Sequence, residues 1–204
     1  MRIPCLLFLV TLFLQGNSLA PTPAPSATAN APAAEFIRTS CEATLYPELC
    51  YHSLSGYARA VQQDPARLAL VAIGVSLSRA TRVAVYLANL SRGAEYGGAD
   101  PRAAAALHDC FVVFGDAVDQ IRGSLSEMRQ LRGNGDQLRF QISNVQTWMS
   151  AALTNEDTCT DGFDGVADGP MKRDVCDRTV DVKEVTSNAL ALVNGYVGKV
   201  MVAP

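Results

Sequence analysis

The sequence predicts an all-α protein, an up-down-up-down four-helix bundle with a disulfide-closed N-terminal helical hairpin. Three observations carry that prediction. In four long segments apolar residues recur at steps of three and four, the spacing of one helix face. Asp64-Pro65 and Asp100-Pro101 each set a capping carboxylate ahead of a proline at the first helical position. Glycine-rich breaks separate the segments, and no strand pattern lies between them.

The chain opens with Arg2, then an apolar run over residues 6–14 interrupted only by Thr11, then Ser18 and Ala20 as small residues around a cleavage point. Residues 1–20 therefore read as a signal peptide that directs export. The run is too short to span a bilayer, which takes ~20 apolar residues. No later segment reads as apolar enough, so no membrane span is expected in the mature form. Residues 21–34 are nearly all Pro, Ala, Ser and Thr. They cannot bury enough apolar surface to offset their ordering entropy, and are assigned to a flexible leader. Residues 35–204 then form one domain, long enough to bury a core.

Two short helical segments around Cys41 and Cys50, with Pro47 between them, make the hairpin. The first long helix starts after Asp64, carries Leu70, Ile73, Leu77, Ala84 and Leu87 on its face, and stops at Gly97 and Gly98. The second follows Asp100 and has the clearest stripe: Leu107, Cys110, Phe111, Phe114, Val118, Ile121, Leu125 and Met128. Gly133, Asn134 and Gly135 form a turn. The third helix then presents Leu138, Ile142, Val145, Met149 and Ala152. Glycine and aspartate dominate residues 159–170, which are read as a loop. The last helix begins between Met171 and Thr179 and buries Val182, Val185, Ala189, Leu192 and Tyr196.

Cys5 leaves with the signal, and five of the six cysteines remain. An exported chain with an odd thiol is expected to form two bridges and keep one free cysteine, although counting leaves the pairing open. Asn89-Leu90-Ser91 is a possible N-glycosylation sequon at Asn89. Loss of Arg2 takes the formal net charge from −3 to −4. That mild acidity excludes a basic nucleic-acid surface.

Catalysis is hard to build from these residues. His52 and His108 are the two histidines, and both read as helix-surface or partly buried side chains. Nucleophile-elbow, zinc-protease and glycine-loop motifs are absent from the sequence, and no cofactor is called for. Asp157, Asp161, Asp164 and Asp168 lack the alternate-residue order of a calcium loop, so they read as solvated turn carboxylates and no metal is expected. Trp148, the sole tryptophan, falls at the edge of the third stripe and reads as a partly buried wedge. Asp109, Asp116 and Asp119 lie off the second stripe, as solvent charges or as contacts for a docking partner. What remains is a binding protein.

The segment Cys41-Glu-Ala-Thr-Leu-Tyr-Pro-Glu-Leu-Cys50 resembles the plant invertase and pectin methylesterase inhibitor family. So do the stretch from Asn144 through Trp148 to Thr154 with the following Asp157-Thr158-Cys159, and residues 187–192. With the cysteine spacing, the resemblance covers about residues 36–202. It implies a four-helix bundle behind a disulfide-closed hairpin, with Cys41–Cys50 and Cys110–Cys159 bridged and Cys176 free. Each bridge is then worth ~2–4 kcal/mol.

The resemblance also implies one of two targets. Methylesterase inhibitors form a stoichiometric 1:1 complex that covers the enzyme's pectin-binding cleft. Invertase inhibitors place a Pro-Lys-Phe motif in the sucrose pocket, and here the corresponding residues are Gly169, Pro170, Met171, Lys172 and Arg173. The missing motif favours a secreted, non-catalytic inhibitor of pectin methylesterase in the apoplast or cell wall, free of any catalytic domain. By the same resemblance Asp116, Thr158 and Asp161 are expected partner contacts, and Asp119, lying off the second stripe, is counted with them. Val112 stands where the family often has an acidic residue. Invertase inhibition is the alternative within the family, and a helical carrier of a lipid or other small ligand the alternative outside it.

Overall fold

The computed structural model describes residues 31–97 and 100–202, with side chains to residue 199. The signal peptide, residues 21–30 of the leader and Gly98 lie outside the described residues. The elements are α1 (Ala31–Cys41), α2 (Pro47–Leu54), a 3-10 turn (Ser55–Tyr57), α3 (Ala58–Val61), α4 (Pro65–Tyr96), α5 (Pro101–Arg129), α6 (Gly135–Asp161) and α7 (Pro170–Val202). Among the described residues there is no strand.

Local chemistry sets the helix ends. Asp64 Oδ1 accepts from the amides of Ala66 (2.8 Å) and Arg67 (3.3 Å) to open α4. Asp100 does the same for Arg102 and Ala103, both at 3.1 Å, to open α5. Gly133 (φ 76°) and Gly135 (φ 57°) take the left-handed backbone of the α5–α6 turn, which a Cβ would strain.

α4 packs against α5 and α7, and α6 closes the square by packing against the same two neighbours. The axis is filled by Ile73, Leu87, Phe114, Ile121, Ile142, Val145, Met149 and Val182, all buried. The hairpin is closed by the Cys41–Cys50 bridge and laid on the bundle by Asn188 of α7. Asn188 Oδ1 accepts from the Tyr46 amide (3.1 Å), and its Nδ2 donates to the Tyr46 carbonyl (2.9 Å).

Four expectations need correction. Residues 31–34, assigned to the leader, form the first turn of α1, and Ala33 is buried. Alanines favour helix, and Pro32 is tolerated in a first turn. The core face of α4 is Leu68, Ala69, Ala72, Ile73, Ser76, Ala80 and Leu87, while Leu70, Leu77 and Ala84 are half-buried. This helix is apolar on most sides, so hydrophobicity does not single out one face, and small residues let α5 and α7 approach.

For the same reason α4 fails the expectation about membrane-grade apolarity. An 18-residue window within it has a mean hydropathy of 1.6. In this fold 39% of that window is buried in the bundle, and on the outer side of α4 Val85 stays 59% exposed. Finally, α6 continues through Asp161 and α7 starts at Pro170. The loop is shorter than predicted because Gly169 supplies the first helical carbonyl, accepting from Arg173 N at 3.1 Å. Phe163 and Val166 turn inward from the loop and cap the end of the core.

Candidate partner interface

The Cys110–Cys159 bridge ties α5 to the end of α6 with the two Cα atoms 4.1 Å apart, and both cysteines are buried. From that pin the helices run antiparallel in step. Ser124, fourteen residues further along α5, donates to the carbonyl of Val145, fourteen residues back along α6. By the same register Asp116 stands level with Leu153, and Thr158 with Phe111. Asn155 Nδ2 donates to Gln120 Oε1 across the outer seam at 3.1 Å.

Each expected contact residue is on the surface, but the four differ in direction. Asp116 is exposed beside the seam. Thr158 is exposed on the opposite helix, its hydroxyl donating back to the Thr154 carbonyl at 2.8 Å. Asp119, three residues beyond Asp116, lies ~60° further round α5 and away from α6. Its charge is matched by Arg122 on the same helix. Asp161 closes α6, exposed and likewise rotated away from the seam, where its field together with that of Asp157 raises the Lys183 pKa. The bridge therefore sets Asp116 and Thr158 along the same seam, five residues (~7.5 Å) apart in register, and leaves Asp119 and Asp161 as flanks.

Asp157 is a correction. It lies in α6, half-buried, and accepts from Lys183 Nζ of α7 at 2.7 Å, so it holds two helices together. That hydrogen bond is the main reason the lysine's pKa is raised. Asp168 pairs with Lys172, and among the described residues no three potential ligands gather as a metal site.

The sequence reading left out the apolar part of this surface. Val112, one turn before Asp116 on α5, is 47% exposed, while Phe111, expected in the core stripe, is 36% exposed about 140° round the helix from Asp116. Trp148 is 37% exposed and lies flat on Gly123 of α5, where an added Cβ would come within 2.9 Å of the ring. The signal was Gly123 itself, a glycine inside a strong helical pattern, which marks a close approach. Together the seam offers carboxylate, hydroxyl, amide and apolar groups on an open face, the mixture of a protein-docking surface.

Cys176 is an unpaired, half-buried thiol whose pKa is pushed up chiefly by burial. Asn89 is exposed, and its Oδ1 accepts from Arg92 Nη2 at 2.6 Å one turn on. His52 and His108 are both exposed.

A family profile described as plant invertase/pectin methylesterase inhibitor matches residues 35–192. The chain is 44% identical over 176 residues to the "21 kDa protein" of Daucus carota, covering 85% of this chain and 90% of that one. It is 40% identical over 197 residues to Pectinesterase inhibitor 11 of Arabidopsis thaliana, covering 95% of each. The fold is similar to the crystal structure of a mutant form of a pectin methylesterase inhibitor from Arabidopsis, with a TM-score of 0.61 and 22% identity. That match covers 78% of this chain and 95% of the other.

Proposed function

The chain belongs to the plant invertase/pectin methylesterase inhibitor family, which is non-catalytic, and from that premise we propose that it is a secreted inhibitor of pectin methylesterase. In this reading it docks on the enzyme through the α5–α6 seam and occludes the pectin-binding cleft in a 1:1 complex. The observation that carries the reading is that exposed Asp116 and Thr158 stand on the two helices tied by the buried bridge, along one open seam. Exposed Val112 and Trp148 beside them supply apolar contact, and Asp161 and Asp119 extend the polar rim. An interface of this kind buries ~1,600 Å² in total.

The loop before α7 supports the esterase over the invertase. Lys172 is turned back on its own segment, donating to the Val166 carbonyl at 3.0 Å and pairing with Asp168 at 3.1 Å. No free lysine is therefore presented where the invertase inhibitors place theirs.

The test is an activity titration of the purified disulfide-bonded protein against a plant pectin methylesterase and, separately, a cell-wall invertase. Esterase activity is expected to fall to a plateau near one equivalent, with invertase untouched. Asp116→Ala should weaken inhibition about tenfold or more and Asp161→Ala less, with the helical circular dichroism unchanged. Full potency in both variants would remove the seam from the proposal, and loss of invertase activity alone would move the target.

A further inference from the structure

A second concave feature lies between the hairpin and the bundle. α1 crosses the first turn of α4 and the last turns of α7, enclosing a cleft of about 300 Å³. Phe36 of α1, Leu68 of α4 and Leu192 of α7 form apolar walls. The α7 side is lined by small residues one turn apart, Ala191 and Gly195, and a Cβ added at Gly195 would meet nothing within 4 Å. Helix interiors disfavour glycine, and here its effect is to leave the cleft open.

The α1 side also carries the hydroxyls of Thr39, Ser40 and Thr44, of which Thr44 is buried and donates to the Cys41 carbonyl at 2.8 Å. The Tyr196 hydroxyl has no hydrogen-bond partner among the described residues, and its pKa is pushed up mainly by burial. Lys199 Nζ sits 5.4 Å from the centroid of the Phe36 ring and, among the described residues, pairs with no carboxylate. Asp64 is the neighbouring acid whose field reaches Tyr196. Its carboxylate is already engaged by the first amides of α4 and by Arg67 at 3.6 Å. The cleft is thus a mainly apolar slot with hydroxyls on its α1 side and, at its mouth, one cation that no carboxylate among the described residues pairs.

We propose that this cleft binds a small aromatic carboxylate, its ring between the Phe36 and Leu192 walls and its carboxylate on Lys199. The volume lies at the bottom of the ~300–1,000 Å³ range of small-molecule sites. A volume of that size holds one or two fused rings. A ligand there bridges α1 and α7 and clamps the hairpin to the bundle. The site is remote from the α5–α6 seam. It opens on the α4–α7 edge of the bundle, the edge opposite the α5–α6 seam. Ligand binding and esterase inhibition are therefore separable.

The experiment is a calorimetric titration of the purified disulfide-bonded protein with 2-naphthoate, beside its neutral analogue naphthalene-2-carboxamide. Saturable one-site binding of the acid is expected, with at least tenfold weaker binding of the amide. Lys199→Met, at an exposed position, should lose a similar factor for the acid alone. Gly195→Leu should abolish binding by filling the cleft while keeping the helical circular dichroism and the esterase titration of the parent. Should that variant unfold, Ala191→Leu fills the same wall. Amide shifts on binding should cluster in residues 36–44 and 191–199. Equal affinity for acid and amide, undiminished binding in a folded cleft-filling variant, shifts centred elsewhere, or no saturable heat at millimolar ligand would each overturn the proposal.

Discussion

Glu156 is completely buried between α4, α6 and α7, and its titration gives a direct handle on the core. Its Oε1 is 2.9 Å from Thr186 Oγ1, which in turn lies 2.8 Å from Ser76 Oγ and 3.1 Å from the Val182 carbonyl. Oε2 has no partner. Burial pushes the carboxyl from 4.5 up to about 8, with the Asp157 charge adding to the rise and Thr186 and Lys183 opposing it. The sign of the pH effect follows from linkage. Below about pH 4.5 both folded and unfolded states hold the proton. Between there and about pH 8 the unfolded state loses it while the folded state keeps it, so stability falls as pH rises. At about 1.4 kcal/mol per pH unit, the loss from pH 5 to pH 8 is at most ~4 kcal/mol.

Glu156→Met keeps the shape and removes the titration, while Thr186 retains Ser76 and Val182 as partners. The variant should be within ~1 kcal/mol of the parent at pH 5 and more stable by several kcal/mol at pH 8, since removing a buried polar group whose partners stay satisfied is nearly neutral. The assay is urea unfolding followed by circular dichroism at pH 5, 6, 7 and 8, both proteins carrying Cys176→Ala to suppress thiol exchange. Parallel stability curves, or a parent that gains on the variant as pH rises, would refute the assignment of a neutral buried carboxyl.

Asn188→Ala removes both hydrogen bonds from α7 to the hairpin, leaving that of Arg79 to Ser53, at ~1–3 kcal/mol. Amide-exchange protection should drop in α1–α3 and hold in α5 and α6, and a uniform drop would contradict local docking. Gly123→Ala sets a Cβ 2.9 Å from the Trp148 ring. Since alanine's helix preference, ~1 kcal/mol, offsets much of the crowding, the melting temperature should move little. The emission of this sole tryptophan should shift to longer wavelength, and an unmoved spectrum would deny the seat. Replacing the Cys110–Cys159 pair by alanines opens a 49-residue separation and the Cys41–Cys50 pair one of 9. The chain-entropy cost is then ~4 against ~3 kcal/mol, an ordering that urea midpoints of the two double variants would test.

The parts of this fold visible in sequence were those decided within a turn of helix. Asp64-Pro65, Asp100-Pro101 and the Gly133–Gly135 turn act through the backbone beside them, and the structure uses each as local chemistry predicts. Matters decided between helices were not visible. The face of α4 is selected by what α5 and α7 place against it, because apolar side chains surround that helix. Glu156 sits among Asn155, Asp157 and Thr158 and reads locally as a solvent residue. It is inside only because the α6–α7 register faces it toward Thr186 and Ser76.

The candidate interface shows the same division at finer scale. Three of the four proposed contacts come from the family resemblance and the fourth, Asp119, from the helix pattern, while the bridge ties together the two helices that carry them. Direction is a separate quantity. A residue three positions further along a helix turns ~60° from its predecessor, which moves Asp119 from the seam to the flank, toward Arg122, and turns Asp161 outward from Thr158. A partner lying along the seam meets Asp116 and Thr158 first and reaches Asp119 only by wrapping round α5. Mutational sensitivity should therefore fall in the order Asp116, Asp161, Asp119, and an Asp119→Ala loss equal to that of Asp116→Ala in the esterase titration would require a contact surface centred on α5 alone.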